Sequence, residues 1–477
     1  MSNERWDSRR HFIQQLGGLG AGALAIGAFG AFGPFGLMGA TRRAQAAGCA
    51  PPGNPTNPAP WKRDCRPIRP RRPASTLSSP EITKLKAAYK AMRDLAASDP
   101  SDPRGFDHQA NIHCWNCGGS VQVHSSWQFF AWHRAYLYFH ERILGKLVGD
   151  MEFRLPYWDW DNGAHRKLPP AYVTPNNATN PLFNGTRGMT PTDVVPDEDV
   201  GDDVMDAALT AADFTEFGGS ATAGGIPEGA PHGSVHVDVG GDMSFFNTAA
   251  RDPIFYAHHS NVDKIWSDWV KADSSHDNPT AAAFLNLTFT FFDENKQWRS
   301  IKASQLLDHE SKLRYVYGPS QALERLLCWH PWRIVRVPKW RAAKTIELTP
   351  EVLAPMLKVS SAKGLVRLHL DRPDVPLTKS AVYRVYADAK DAQADPGPNS
   401  PAYLGTVPVV LNDRENHHRP KPPRAVLNIS RRLPGLIEKR AAPGLFYVER
   451  GLKPDQRKVS PLRAADAFFS VAEFSGG

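Results

Sequence analysis

Three stretches of the chain carry the apolar repeat of a helix buried along one face. Residues 80–97 set Ile82, Leu85, Ala88, Tyr89 and Met92 together. Residues 126–147 align Phe129, His133, Tyr136, Leu137, His140, Ile143, Leu144 and Leu147 in one stripe. A third helix is expected to start at Asp252-Pro253, a capping side chain followed by a proline whose missing N–H costs nothing in the first turn. It places Phe255, His259, Val262 and Trp266 on one face. From Leu365 the period shortens to two: Val366, Leu368 and Leu370 alternate with Arg367 and His369. Val382-Tyr383-Arg384-Val385-Tyr386 and Leu445-Phe446-Tyr447-Val448 read as further short strands between Pro- and Gly-containing loops. The pattern predicts a helical domain over residues 47–340, with a linker from about residue 320, and a β-rich domain over 341–477. Residues 47–75, rich in Pro and Arg and without period, read as an extended arm.

Charge and composition narrow the partners. The formal charge is +8, and the basic residues are scattered, without the interleaved aromatics of a nucleic-acid platform, so no nucleic-acid partner is expected. At the N-terminus, Ser8-Arg9-Arg10-His11-Phe12-Ile13, an apolar stretch at 16–40 and Ala44-Gln45-Ala46 predict a twin-arginine signal peptide at 1–46. The expected destination is the periplasm or the medium. Glycine at nine of the 25 positions 16–40, and Pro34, make a stable membrane span a poor reading. Five cysteines leave one over in an exported protein, and Cys117, four residues after His113 and seven before His124, stands out.

The chemistry lies in two sets of histidines: His113, His124 and His133, then His232, His236 and His259. Neutral imidazole suits copper, and three nitrogens per ion leave positions open for O2 or substrate. His232 and His236, four apart, share a helix face. Glu does not follow His232, so the zinc-protease pattern is missing, and a dinuclear zinc hydrolase would bring bridging carboxylates. His124, nine residues before His133, must precede the helix that carries His133. His140 lies roughly 10.5 Å further along that helix, too far to share an ion, and is expected at the core edge. His258 points about 100° away from His259 and is expected to face substrate or to support a ligand. His11, His108, His165, His276, His309, His330, His369, His417 and His418 are expected at the surface or in loops.

Ala110-Asn111-Ile112-His113-Cys114, Val123-His124-Ser125-Ser126-Trp127-Gln128-Phe129-Phe130, Leu155-Pro156-Tyr157-Trp158-Asp159-Trp160-Asp161 and residues 252–263 resemble the plant-type polyphenol oxidases (catechol oxidase/tyrosinase), which are type-3 copper proteins. The resemblance covers nearly the whole chain after the N-terminal signal. It implies a mainly α catalytic domain, a four-helix bundle around two copper ions, followed by a sandwich- or barrel-like β-rich domain that covers the site in a latent enzyme. It implies His113, His124 and His133 on the first copper and His232, His236 and His259 on the second, with O2 as co-substrate for the oxidation of o-diphenols to o-quinones. A thioether between Cys117 and His124, a water held by Glu228, and Phe246 as an aromatic gate over the second copper follow from the same resemblance. Asp263, four residues after His259, is expected to orient a nearby ligand ring. Tyr315-Val316-Tyr317 resembles the motif that ends the catalytic domain. Gly233 departs from the family, since good monophenol hydroxylases often carry Asn there, so weak hydroxylation is expected. Small phenols, a copper chaperone and an activating protease are the partners this reading brings in. The alternatives are a haemocyanin-like oxygen carrier and a tyrosinase with strong monophenolase activity.

Overall fold

Local signals set the helices. The computed structural model describes residues 49–474 except 51, 54, 119–121, 329–331, 336–347, 349–352, 354–355, 357–363, 413–423, 439–443 and 465. The twin-arginine segment and the linker residues Pro338-Lys339-Trp340-Arg341 lie outside the described residues. Helix α1 (Ser79–Ser98) opens on a capping box in which the Ser78 N–H and Oγ–H donate to the Glu81 carboxylate at 2.8 and 2.6 Å. It buries Leu85, Ala88, Tyr89 and Met92, the expected face. Helix α2 (Phe106–His113) ends on His113. Helix α3 (Gln128–Leu147) is buried well beyond one stripe, since Arg134, His140 and Glu141 are interior too. The reason is that α3 packs against α1, against α5 (Ile254–Ala272), and against the strand Thr288–Phe292 of a hairpin. Helix α4 (Ser234–Val239) is short. At the start of α5 the Asp252 carboxylate accepts the Ile254 N–H at 3.0 Å, as the Asp-Pro pair predicts.

His140 is not at the core edge. It is fully buried, with its ring stacked 3.7 Å from that of Tyr256. His276, His309 and His369 are buried as well. A buried imidazole is tolerated where a ring nitrogen finds a partner. His276 Nδ1–H reaches Trp269 O at 2.6 Å, and His309 Nδ1–H reaches Tyr315 O at 3.0 Å.

Asp263 also departs from expectation. Its Oδ1 accepts Arg134 Nε–H at 2.6 Å, and its Oδ2 accepts the Tyr315 and Tyr317 hydroxyls at 2.6 and 2.8 Å, with Arg71 at 3.4 Å. None of these partners is a histidine of the two sets. Asp263 therefore clamps the N-terminal arm, α3 and the tyrosine segment onto α5, and does not orient a ligand ring. Burial pushes its carboxyl upward in pKa, but Arg134 and Arg71 outweigh this and hold it below the ordinary value. Asp263→Ala leaves two buried guanidinium groups without their shared anion, so it should cost on the order of 3–5 kcal/mol. A denaturant midpoint unchanged from wild type would contradict the clamp.

The C-terminal strands are β1 (Trp332–Val335), β2 (Leu365–Asp371), β3 (Ala381–Tyr386), β4 (Tyr403–Val409), β5 (Arg424–Asn428), β6 (Phe446–Glu449), β7 (Ser460–Pro461) and β8 (Asp466–Phe474). They form two antiparallel four-stranded sheets, ordered β5-β2-β8-β1 and β7-β6-β3-β4. Val366, Leu368 and Leu370 from one sheet and Tyr383, Val385 and Val407 from the other share one core. The alternation read from the sequence does not expose Arg367 and His369. The Arg367 guanidinium instead donates to the carbonyls of Ala207 and Thr210 at 3.4 and 2.9 Å, and His369 bonds Ser470 Oγ at 2.7 Å. The described residues pack as one unit. Beyond β4 the chain runs over the helical part: the Phe246 N–H donates to Leu411 O at 3.0 Å, the Asn247 N–H to Asn412 O at 2.9 Å, and Val410 joins the apolar core of the helices. Among the described residues no helix is long and apolar enough to cross a membrane.

Candidate metal centre

The first group of histidines is assembled around the start of α3. His113 ends α2, and a wide helical turn (Cys114–Gly118) follows it. A disulfide between Cys49 and Cys114 ties this turn to the N-terminal arm, while Cys117 is a buried free thiol. His124 stands outside the helix, as its phase against His133 requires. The next residue, Ser125, has a φ of 54°, which turns the chain into α3. Gln122 Oε1 accepts the His124 backbone N–H at 3.0 Å and lies 3.2 Å from its Nδ1. His133, in the second turn of α3, donates Nδ1–H to Phe129 O at 2.8 Å.

The second group joins α4 to α5. His232 follows a kink at Ala230 in a wide turn (Glu228–Gly233) that runs straight into α4 through the helical Gly233 and Ser234, so it and His236 share the face their spacing predicts. Their rings come within 4.6 Å. His232 donates Nδ1–H to Glu228 O at 2.8 Å, and His236 donates Nδ1–H to Met243 O at 2.7 Å. His259 comes from α5, with Nε2 3.2 Å from His236 Nε2.

Within each group, His113, Cys117, His124 and His133, or His232, His236, His258 and His259, the potential ligand atoms lie within 4.8 Å of one another. The groups face one another across α3 and α5, with the rings of His133 and His259 stacked at 4.3 Å. A carbonyl oxygen only accepts, so each Nδ1 resting on one carries the proton and its Nε2 is a lone pair. The Nε2 atoms of His124, His133 and His232 are buried without a hydrogen-bond partner. Such an atom is costly unless something else binds it. Burial holds the rings neutral, pushing His133 down to about 3 and His236 to about 4. The donor set is thus neutral imidazole, with no carboxylate in either group, and it fits a pair of copper ions.

The other expected residues divide. Glu228 is half-buried, and its Oε1 accepts the Ser125 N–H at 2.5 Å, which ties the two groups of histidines together. Its Oε2 lies so close to Gly224 that any Cβ there would meet it at 2.2 Å. Phe246 does not lie over the second group: its ring stacks on His124 at 3.9 Å, 16° from parallel, and is 6.4 Å from His236. The reason is the covering segment, which holds the Phe246 backbone through Leu411. A Cβ on Gly233 would touch Pro408 Cγ at 3.4 Å, so the space beside His232 is filled from the β-rich part. His258 belongs to the second group, with Nδ1 accepting the Trp160 indole N–H at 3.1 Å. Sequence reasoning missed Trp160, Gln122 and Pro408. Trp160 stands in a segment that was quoted for its resemblance, but nothing in the sequence marks Pro408.

The model of the common central domain of tyrosinase matches residues 103–200 and 190–272, and that of the polyphenol oxidase middle domain matches 278–330. The chain is 32% identical over 356 residues to the chloroplastic polyphenol oxidase A of Solanum lycopersicum, covering 63% of this chain and 53% of that protein. It thus spans about half the length of the curated relatives it matches. Among solved structures, Grenache (Vitis vinifera) polyphenol oxidase is 31% identical, with a TM-score of 0.53, over 59% of this chain and 94% of that one. Latent apple tyrosinase shares the fold, with a TM-score of 0.62 at 24% identity over 87% of this chain and 99% of that one. These relatives correct the expected destination. The curated relatives are chloroplastic plant proteins, which overturns twin-arginine export to the periplasm or medium. With the tyrosinase central domain matched across all six expected ligands and a solved polyphenol oxidase spanned almost from end to end, the chain belongs to the polyphenol oxidase family of type-3 copper proteins.

Proposed function

We propose that the protein is a latent dicopper phenol oxidase that converts o-diphenols to o-quinones with O2. His113, His124 and His133 hold one copper, and His232, His236 and His259 hold the other. The observation that carries this reading is the pair of facing, carboxylate-free imidazole groups whose Nδ1–H donors rest on carbonyl oxygens. A copper pair held by these six imidazoles would supply O2 binding and two-electron redox capacity for the diphenol. The chain fixes the imidazoles, excludes water by burial, and keeps a carboxylate, Glu228, between the groups to hold a water or receive a proton. In this reading the catalytic domain expected over residues 47–340 ends before Trp332, because β1 pairs with β8 and so belongs with residues 341–477 to the shielding domain. A copper chaperone would load the site, and a protease cutting the linker would open it.

The experiment is copper analysis with oxygen uptake. The full chain loaded to two coppers, then opened with mild detergent, should consume O2 with catechol and only slowly with tyrosine. Reversible O2 binding without catechol turnover would favour a carrier. Turnover of tyrosine as fast as catechol would defeat the argument from Gly233. Gly233→Asn should raise the tyrosine-to-catechol ratio only after the cover is displaced, because its amide would meet the Pro408 ring.

A thioether between Cys117 and His124 belongs to the same reading. The Cys117 sulfur lies within 4.8 Å of the ligand nitrogens of the first group, and burial pushes its thiol pKa up. Peptide mapping of copper-loaded protein should find a crosslink two hydrogens lighter than the separate peptides and stable to thiol reductants. A Cys117 that still alkylates freely after unfolding would rule it out.

A further inference from the structure

The four histidines of the second group are not chemically alike. His232 and His236 rest Nδ1 on carbonyl oxygens, which can only accept, so their Nε2 atoms are lone pairs. His258 rests Nδ1 on the Trp160 indole N–H at 3.1 Å, and an indole nitrogen can only donate. Its Nδ1 is therefore the lone pair, and a neutral His258 carries its proton on Nε2. That Nε2 is buried, has no hydrogen-bond partner, and belongs to a ring 5.4 Å from His232 and 4.9 Å from His236. Trp160 is itself fully buried, its ring 5.9 Å from that of His258 and tilted 40° to it, so the donor is held in place.

An imidazole that accepts at one nitrogen and is protonated at the other cannot ligate a metal without losing its last proton. It can only donate. We infer that Trp160 locks His258 as an N–H donor aimed into the second metal position, where it donates to the anionic oxygen of a bound phenolate. This rests on the dicopper reading for the identity of the acceptor, but not for the tautomer. Trp160 is a positioning residue; His258 is the group that touches substrate. The arrangement separates four clustered imidazoles into three ligands and one substrate donor by the polarity of a single neighbouring group.

Two measurements test it. In 15N-labelled full chain, two-bond ring correlations should show His258 protonated at Nε2 and bare at Nδ1, in both the metal-free and the Cu(I)-loaded protein. His232 and His236 should show the opposite pattern. Kinetics on the detergent-opened, two-copper full chain should then show that His258→Leu raises the KM for catechol about tenfold, the loss of roughly one charge-assisted hydrogen bond. His258→Gln, which keeps an N–H donor, should stay within about threefold of wild type, a rescue that a packing role alone would not give. Trp160→Phe should shift the His258 ring toward the other tautomer with both coppers retained. A wild-type His258 protonated at Nδ1 overturns the inference whatever the metal does. Normal copper and catechol turnover with an unchanged KM in His258→Leu overturns it while leaving the dicopper reading intact. Failure to bind copper at all overturns the dicopper reading and the phenolate with it.

Discussion

His133→Ala and His236→Ala should each abolish catechol oxidation while the protein stays folded. In the proposed dicopper reading each substitution removes one of three neutral nitrogens meant for one ion, and neither group contains a carboxylate of its own to replace it. Losing an outer hydrogen-bond partner of a metal ligand already costs about 10–100-fold in affinity or activity, so losing the ligand itself should cost more. The fold survives because the shell around each ring is built from other contacts: α3 is buried on every side, and α4 is tied to the β-rich part. Copper should fall from two ions per chain toward one, with the far-ultraviolet circular dichroism unchanged. His140→Gln is the control, since His140 stacks on Tyr256 away from both groups and should keep both ions. Substantial turnover by either alanine variant would remove that histidine from the ligand set.

Arg450→Met should open the site in the intact chain. Arg450, just beyond β6, donates to Glu198 at 3.3 Å and also to Asp199 and Asp238, the latter two residues after His236. Arg384 adds bonds to Glu198 at 2.7 and 2.9 Å, and the Tyr403 hydroxyl another at 3.0 Å. Two guanidinium groups of the β-rich part thus hold three carboxylates of the helical part together. Burial pushes both Asp199 and Asp238 up from the ordinary carboxyl value even with Arg450 beside them. Removing one partner of a buried ion pair costs about 3–5 kcal/mol, and here it also leaves like charges together. Against the two sheets and helices, which keep their own cores, that loss falls on the contact that holds Pro408 beside Gly233 and Val410 in the helical core. Basal catechol turnover should rise about tenfold or more, since about 1.4 kcal/mol already shifts a covered-to-open ratio tenfold. The further gain on adding detergent should shrink to match. An Arg450→Met chain as latent as wild type, with its copper intact, would place the latch elsewhere.

Periodicity alone located α1, α3 and α5, because each buries an apolar face long enough to show in the sequence. The histidine spacing did the same for the site: a residue nine positions before His133 cannot lie on its helix face, and the positive φ of Ser125 is the backbone consequence. Where a residue's partners come from distant segments, the sequence was silent or misleading. Asp263 has helix spacing to His259, yet it serves Arg71, Arg134 and two tyrosines from three other parts of the chain. Arg367 and His369 alternate like solvent-facing residues, but Arg367 reaches carbonyls of the helical part and His369 bonds Ser470 on the neighbouring strand β8. Phe246 lies over His124 because Leu411 holds its backbone.

What the sequence determined by itself is the chemistry: six imidazoles in two sets, delivered by amphipathic helices whose phase can be read from the order of residues. What only the tertiary structure decided is which nitrogen of each ring faces the metal and what closes the site. A ring's tautomer is set by whether its neighbour donates or accepts: the carbonyls of Phe129 and Glu228 lie one helical turn before their histidines, but the indole of Trp160, 98 positions away, reaches His258 only once the chain is folded. The cover is likewise a contact between segments about 170 residues apart, Gly233 and Pro408, for which no local pattern exists.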